Sequence, residues 1–272
     1  MPGGPEKGLP ILWKENYVKK VKTRIILIIL IVLMAGITLY SGIRLILCLQ
    51  EKERVEEAFD RLSLMTDTDV KDGETKEEKE ASDKARLEKY RKLHELNSDF
   101  VGWIRIEGTN INYPVMQSVE DPEFYLDHDF DKEYCVYGVP FADAACEIGI
   151  SNNIILYGHR MSTDSMFHEI LYYEDPDYRE EYPLIRFDTL EQCGTYEVIA
   201  AFRYDVNHDP FRFNLYTDMD METFAEYIRC VQERQLYSTG LSALYGDRLL
   251  TLSTCDYYYG NGRFVVVARE VK

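Results

Sequence analysis

Positive charge is in short supply in this 272-residue chain: 31 Lys and Arg stand against 48 Asp and Glu, a net charge of −17. That balance excludes a nucleic-acid partner, because binding a polyanion needs a basic surface that releases counterions. Glycine and proline are also sparse, at 16 and 9 residues, which excludes collagen-like and low-complexity chains. No G-x-G-x-x-G or G-x-x-x-x-G-K-[ST] stretch occurs, so no nucleotide loop is expected. The six cysteines include no C-x2-C pair and the five histidines are scattered, so no metal and no other cofactor is expected. Asp127, Asp129 and Asp131 alternate but lack the Gly and closing Glu of a calcium loop, and read as a solvated turn. Cys135, Cys146, Cys193, Cys230 and Cys255 are odd in number beyond Cys48, which leaves at least one thiol free.

What the chain does have is one long apolar run. Residues 25–43 carry no charge, and at about 1.5 Å per residue they nearly cross a hydrocarbon core of roughly 30 Å. Arg44 can snorkel to the headgroups, which extends the expected transmembrane anchor over 25–49. The run is too long for the core of a signal peptide and ends in no A-x-A-like site. Lys7, Lys14, Lys19, Lys20, Lys22 and Arg24 precede it, and Glu51, Glu53, Glu56, Glu57 and Asp60 follow. The basic segment 1–24 is therefore expected in the cytoplasm and the rest outside a cell membrane crossed once. Residues 50–84 read as a charged stalk, broken at Asp67-Thr68-Asp69 and Lys71-Asp72-Gly73, with an expected mobile first part. A helix is expected over 76–96, with Leu87, Tyr90 and Leu93 on one face.

From Asp99 the texture changes to short apolar or alternating runs between turn residues. Strands are expected at Phe100–Ile106, Ile111–Met116, Val136–Phe141, Asn153–Tyr157, Leu184–Phe187, Tyr196–Tyr204, Arg248–Thr254 and Phe264–Ala268. Eight strands in this span make a mainly β domain, a barrel or a sandwich. Helical interruptions are expected at Ser165–Tyr173, Asp177–Glu181 and Met221–Gln232, the last with Phe224, Ile228 and Val231 on one face.

The final two strands carry chemistry. A strand period of two puts Thr251, Ser253 and Cys255 on the more polar face of their run, opposite Leu250, Leu252 and Thr254. After the reversal at Gly260-Asn261-Gly262 the chain returns through Arg263, so a hairpin brings Arg263 beside Cys255. A nearby guanidinium favours thiolate over thiol, which makes Cys255 a candidate nucleophile. Among the histidines, His159 follows a strand at Gly158, where its ring can open onto the sheet rim as an acid or base.

These residues resemble the sortase family. Thr251-Leu252-Ser253-Thr254-Cys255 is similar to the sortase TLxTC signature, and Arg263 before a Phe-Val-Val-Val strand to the sortase arginine. Tyr157-Gly158-His159 with Met161 and Met166-Phe167, Asn97-Ser98-Asp99-Phe100-Val101-Gly102-Trp103-Ile104, Ile111-Asn112-Tyr113-Pro114-Val115, and Phe124-Tyr125-Leu126 resemble the class B branch. The likeness covers residues 85–271. It implies an eight-stranded sortase-type barrel over 85–272, with an N-terminal helix and an inserted helix, for which 76–96 and Met221–Gln232 are the candidates. It further implies a cysteine transpeptidase with Cys255 as nucleophile, His159 as general acid and base, and Arg263 holding substrate or oxyanion. Thr251, Ser253, Leu126 and Asp256 are the expected substrate contacts. The implied partners are surface proteins bearing a C-terminal sorting motif of the NPxTN type and an amine of peptidoglycan or its precursor. Arg160, Pro122 and Cys146 depart from the family pattern, where polar residues such as Asn are usual. Two other readings use the same residues: a secreted cysteine peptidase that passes the acyl group to water, and a tethered interaction barrel in which Cys255 is inert.

Overall fold

The structure is a computed structural model, and it describes residues 11–66, 76–162 and 164–271. Lys7 and the expected breaks at Asp67-Thr68-Asp69 and Lys71-Asp72-Gly73 lie outside the described residues. Two compact units divide at Glu56 and Glu57. The first is the bulk of a long helix, α1 (Ile11–Thr66), whose residues 25–43 are exposed, and it is long and apolar enough to cross a membrane.

The second unit is a closed barrel of eight strands. They are β1 (Phe100–Arg105), β2 (Asn112–Met116), β3 (Phe141–Ala142), β4 (Asn153–Tyr157), β5 (Leu184–Thr189), β6 (Cys193–Asp205), β7 (Leu249–Asp256) and β8 (Gly262–Glu270). Their order around the barrel is β1-β2-β3-β4-β7-β8-β6-β5, with β2–β3 and β4–β7 parallel and the other pairs antiparallel. Closure leaves no free edge, and Phe100, Ile104, Val115, Leu156, Phe187, Phe202, Leu252 and Val266 pack the buried interior.

One expected strand is not formed as such. Val136–Phe141 contributes only the two-residue β3 at its end, and the rest folds as a turn. Gly138 adopts φ +58°, a left-handed conformation that glycine tolerates, and a Cβ there would lie 2.5 Å from the carbonyls of Tyr125 and Leu126. Val139 donates to the Tyr125 carbonyl (3.0 Å). From Tyr137 onward the apolar run is thus buried against the short 3-10 turn Phe124–Leu126 rather than paired along its length, while Val136 is exposed. Ser165–Tyr173, expected as helix, is a 3-10 segment over His168–Glu174, which begins after Met166 takes a left-handed φ of +58°.

Helix α2 (Lys76–Leu96) lies on β1 and β5 through the face expected of it. Leu93 is fully buried, and the Tyr90 ring stacks on Trp103 at 6.4 Å and packs against Phe100 at 6.0 Å. Below Tyr90 sits a buried charge cluster: Asp188 accepts from Tyr90 Oη (3.1 Å) and the Gly194 amide (3.2 Å), and pairs with Arg86 (3.4 Å), which also holds Asp83 (2.6 Å). Burial pushes the Asp188 carboxyl above the usual carboxylate range in spite of Arg86, Tyr90 and Gly194. Its ionised form is therefore the costly one, and that cost is present at neutral pH and relieved as pH falls through the raised value. Arg86→Leu should accordingly cost about 3–5 kcal/mol at neutral pH by leaving a buried carboxylate unpaired, and less in mild acid. Urea unfolding at the two pH values checks this; an equal loss at both would refute it.

The end of α1 also belongs to this unit. Phe59 meets Tyr113 edge-on at 5.3 Å and Leu62 is buried, both within the segment expected to be a charged stalk. Helices α3 (Pro176–Glu181), capped by Asp175, and α4 (Met221–Arg234), capped by Asp220, complete the unit. α4 begins and ends within two residues of the expected inserted helix.

Candidate active site

The β7–β8 hairpin has the register the sequence implies: Cys255 faces Arg263 across the ladder, and Asp256 faces Gly262. Cys255 does not end its strand, because β7 continues through Asp256 before the 3-10 turn Tyr257–Tyr259 reverses the chain. β4 runs parallel to β7 with Tyr157 beside Ser253, which brings the residue after Gly158 to the same end of the sheet as Cys255. Gly158 is held from both sides: its amide donates to the Ser253 carbonyl (3.2 Å) and its carbonyl accepts from Thr254 Oγ1 (2.7 Å). A Cβ at Gly158 would stand 2.6 Å from the buried Phe167 ring, so only glycine lets the loop turn this tightly.

Cys255, His159 and Arg263 line one cleft of roughly 480 Å³, with Leu126, Ser253 and Thr254. His159 Nε2 lies 2.7 Å from the Leu126 carbonyl, which can only accept, so Nε2 carries a proton and Nδ1 is the nitrogen left for other work. Arg263 donates to the Gly262 carbonyl (2.9 Å) and has no carboxylate partner among the described residues. Most other arginines of the barrel are ion-paired, among them Arg86, Arg160, Arg179, Arg203, Arg234 and Arg269. A guanidinium in a cleft, not itself ion-paired among the described residues, can meet an anion that forms there.

The cysteines separate by environment. All six are free thiols. Cys146 is buried, its Sγ accepts from the Ile155 amide (3.3 Å), and burial pushes its thiol up to about 12. Burial also raises the thiol of Cys193, while Cys135 and Cys230 are buried. Cys255 alone is part-exposed and in the cleft. Cys146 is a packing residue beneath β4, not part of the reacting set.

Four substrate contacts were expected, and the structure brings two of them to the cleft. Leu126 is on its rim, and Ser253 lies in its wall with a buried Oγ that has no hydrogen-bond partner. Thr251 is instead fully buried under α4, bonded to Tyr227 Oη (2.9 Å) and Asn153 Oδ1 (2.8 Å). Asp256 is turned away from the cleft into a charge cluster with Arg203 Nε (2.8 Å) and Arg160 Nη1 (3.4 Å). Of the three departures, Pro122 lines the cleft, while Arg160 points to Asp256 and lies over the Tyr257 ring at 5.1 Å.

The sequence reading missed one wall of the cleft. Arg212, Phe213 and Asn214 come from the connection between β6 and α4, more than 40 residues from either His159 or Cys255 in sequence, and no local pattern marks them. Tyr157, read from sequence as a strand end and as part of the Tyr157-Gly158-His159 motif, donates from its Oη to Asp143 Oδ2 (2.7 Å), and burial together with Asp143 keeps the phenol protonated.

Known proteins are similar to this chain in sequence and fold. The family profile described as Sortase domain matches residues 104–271. Sortase B of Staphylococcus aureus is 30% identical over 186 residues, covering 67% of this chain and 75% of its own. Sortase B of Listeria monocytogenes is 31% identical over 190 residues, covering 66% and 73%. The structure of a Staphylococcus aureus sortase B-substrate complex superposes with a TM-score of 0.68 at 25% identity, covering 82% of this chain and 97% of that one. With a family match over more than half its length and a barrel that superposes on theirs, this chain belongs to the sortase family and is a sortase B-like cysteine transpeptidase.

Proposed function

We propose that this transpeptidase cleaves a C-terminal sorting motif of the NPxTN type after its Thr and joins the protein to an amine of peptidoglycan or its precursor. Cys255 as thiolate attacks the Thr carbonyl, and the tetrahedral oxyanion forms beside Arg263. His159 gives a proton to the departing amine, and the thioester remains on Sγ. The incoming amine then attacks the thioester, His159 takes its proton, and the Cys255 thiolate leaves. The single observation that carries these roles is the facing register of Cys255 and Arg263 with His159 in the same cleft. The apolar α1 supports a single-pass anchor with a cytoplasmic basic N-terminus, which would raise the local concentration of membrane-held clients.

Intact-mass spectrometry of the full chain in detergent, with NPxTN, SPxTG and LPxTG peptides and with or without an amine, tests this reading. A thioester adduct that passes to an amide product supports it. Hydrolysis without any amide product would establish a peptidase instead. In the same assay Arg263→Lys should lower turnover roughly 10²-fold, because an ammonium replaces one charge but not the planar fork that meets an oxyanion. Undiminished turnover in that variant would remove Arg263 from the reaction.

A further inference from the structure

His159 and Cys255 are each followed by a charged residue, and those two residues meet. Arg160 Nη1 stands 3.4 Å from Asp256 Oδ1. Asp256 is a fixed point: its side chain is 5% exposed, Arg203 Nε donates to its Oδ2 at 2.8 Å, and the Tyr258 amide donates to its Oδ1 at 3.3 Å. Arg203 is in turn fixed by both oxygens of Glu174 (3.0 and 2.6 Å) and by the rings of Tyr258 (4.8 Å) and Phe264 (5.8 Å). Arg160 is held between this anchored carboxylate and the Tyr257 ring. An exposed ion pair contributes little, but here one partner is buried and already oriented.

The pair completes a bracket around the histidine. On one side Gly158 is bonded to Ser253 and Thr254; on the other Arg160 is bonded to Asp256. His159 therefore sits between two ties to the residues that flank Cys255, on two segments the chain itself joins only through about a hundred residues. Neither Arg160 nor Asp256 lines the cleft, so neither is placed to touch substrate.

We propose that Arg160 and Asp256 are a positioning pair whose contact sets His159 against Cys255, holding the acid and base in register with the nucleophile. This rests on the reading that Cys255 and His159 carry the reaction. A displacement of about 1 Å at reacting groups costs on the order of 10²-fold in rate. Arg160→Gln is accordingly expected to lower kcat by about 10- to 100-fold while the peptide KM stays within about 2-fold.

Full-length wild type, Arg160→Gln, Arg160→Lys, Asp256→Asn and the double variant are compared in the peptide assay. Arg160→Lys should recover most of kcat, since it keeps the charge on Asp256. Asp256→Asn also loosens Arg203, so it is slower than Arg160→Gln, and the double variant should match Asp256→Asn because the shared contact is lost once. Effects that multiply in the double variant, an unchanged kcat in Arg160→Gln, or a loss confined to KM would each overturn the proposal. An inactive wild type would instead overturn the functional reading. Hydrogen exchange reads the tie without turnover: Arg160→Gln should speed amide exchange at least about 10-fold at residues 159–162 and 256–259 while the β6 and β8 amides are unmoved. Exchange that stays at the wild-type rate there also overturns it.

Discussion

Cys255→Ala should abolish the acyl-enzyme adduct and lower turnover by about 10⁴-fold or more, the largest effect of any single substitution in the barrel. The expectation follows from the environments of the six thiols. A thioester needs a thiolate that a peptide carbonyl can reach. Burial holds Cys146 and Cys193 in the protonated thiol form, Cys135 and Cys230 are buried, and Cys48 lies on α1 outside the barrel unit. Only Cys255 is part-exposed in the cleft and faces a guanidinium that has no carboxylate partner there. Among the described residues the Cys255 Sγ makes no hydrogen bond, so alanine should leave the melting temperature close to that of wild type. A peptide adduct that persists on Cys255→Ala would assign the nucleophile elsewhere. Loss of the adduct with the fold intact would also exclude the reading in which this barrel only binds partners.

His159→Gln should lower both acylation and transfer by about 10²- to 10⁴-fold, the usual worth of a positioned proton donor and acceptor. Glutamine is the informative replacement because its amide can still donate to the Leu126 carbonyl, as Nε2 does at 2.7 Å. The loop is thus kept in place while the imidazole ring is removed. If the hydrogen bond to Leu126 were the whole contribution of His159, glutamine would restore nearly full activity. If the ring moves protons, it would not, and single-turnover measurements would show both steps slowed together. Full activity in this variant would exclude His159 as acid and base.

Much of this was legible in the residues themselves. The strand at Asn153–Tyr157, the strand that carries Cys255 and the returning strand after Gly262 appear where alternation and apolar runs put them, because a strand's period of two is imprinted by burial of its faces. The facing of Cys255 and Arg263 followed from a short reversal between two such runs. The helix over 76–96 followed from apolar residues at helical spacing. The strand expected at Val136–Phe141 misled because burial under a loop and burial in a ladder leave the same apolar signature. The docking of Phe59 on Tyr113 was hidden within a segment whose charges read as solvated.

Sequence alone determined the features that depend on near neighbours: the acidic balance, the apolar span, the hairpin that pairs Cys255 with Arg263, and the glycine that lets His159 leave its strand. Tertiary structure decided where side chains of similar chemistry went. Asp256 was expected at the substrate and is drawn off by Arg203 and Arg160, and Thr251 shares a face with Cys255 but lies under Tyr227 of α4. The wall of the cleft formed by Arg212, Phe213 and Asn214 comes from a distant connection. The reason is physical: a strand period fixes which face a side chain leaves by, but the charges and rings that meet it there arrive from segments far away in the chain, brought in only by closure of the barrel.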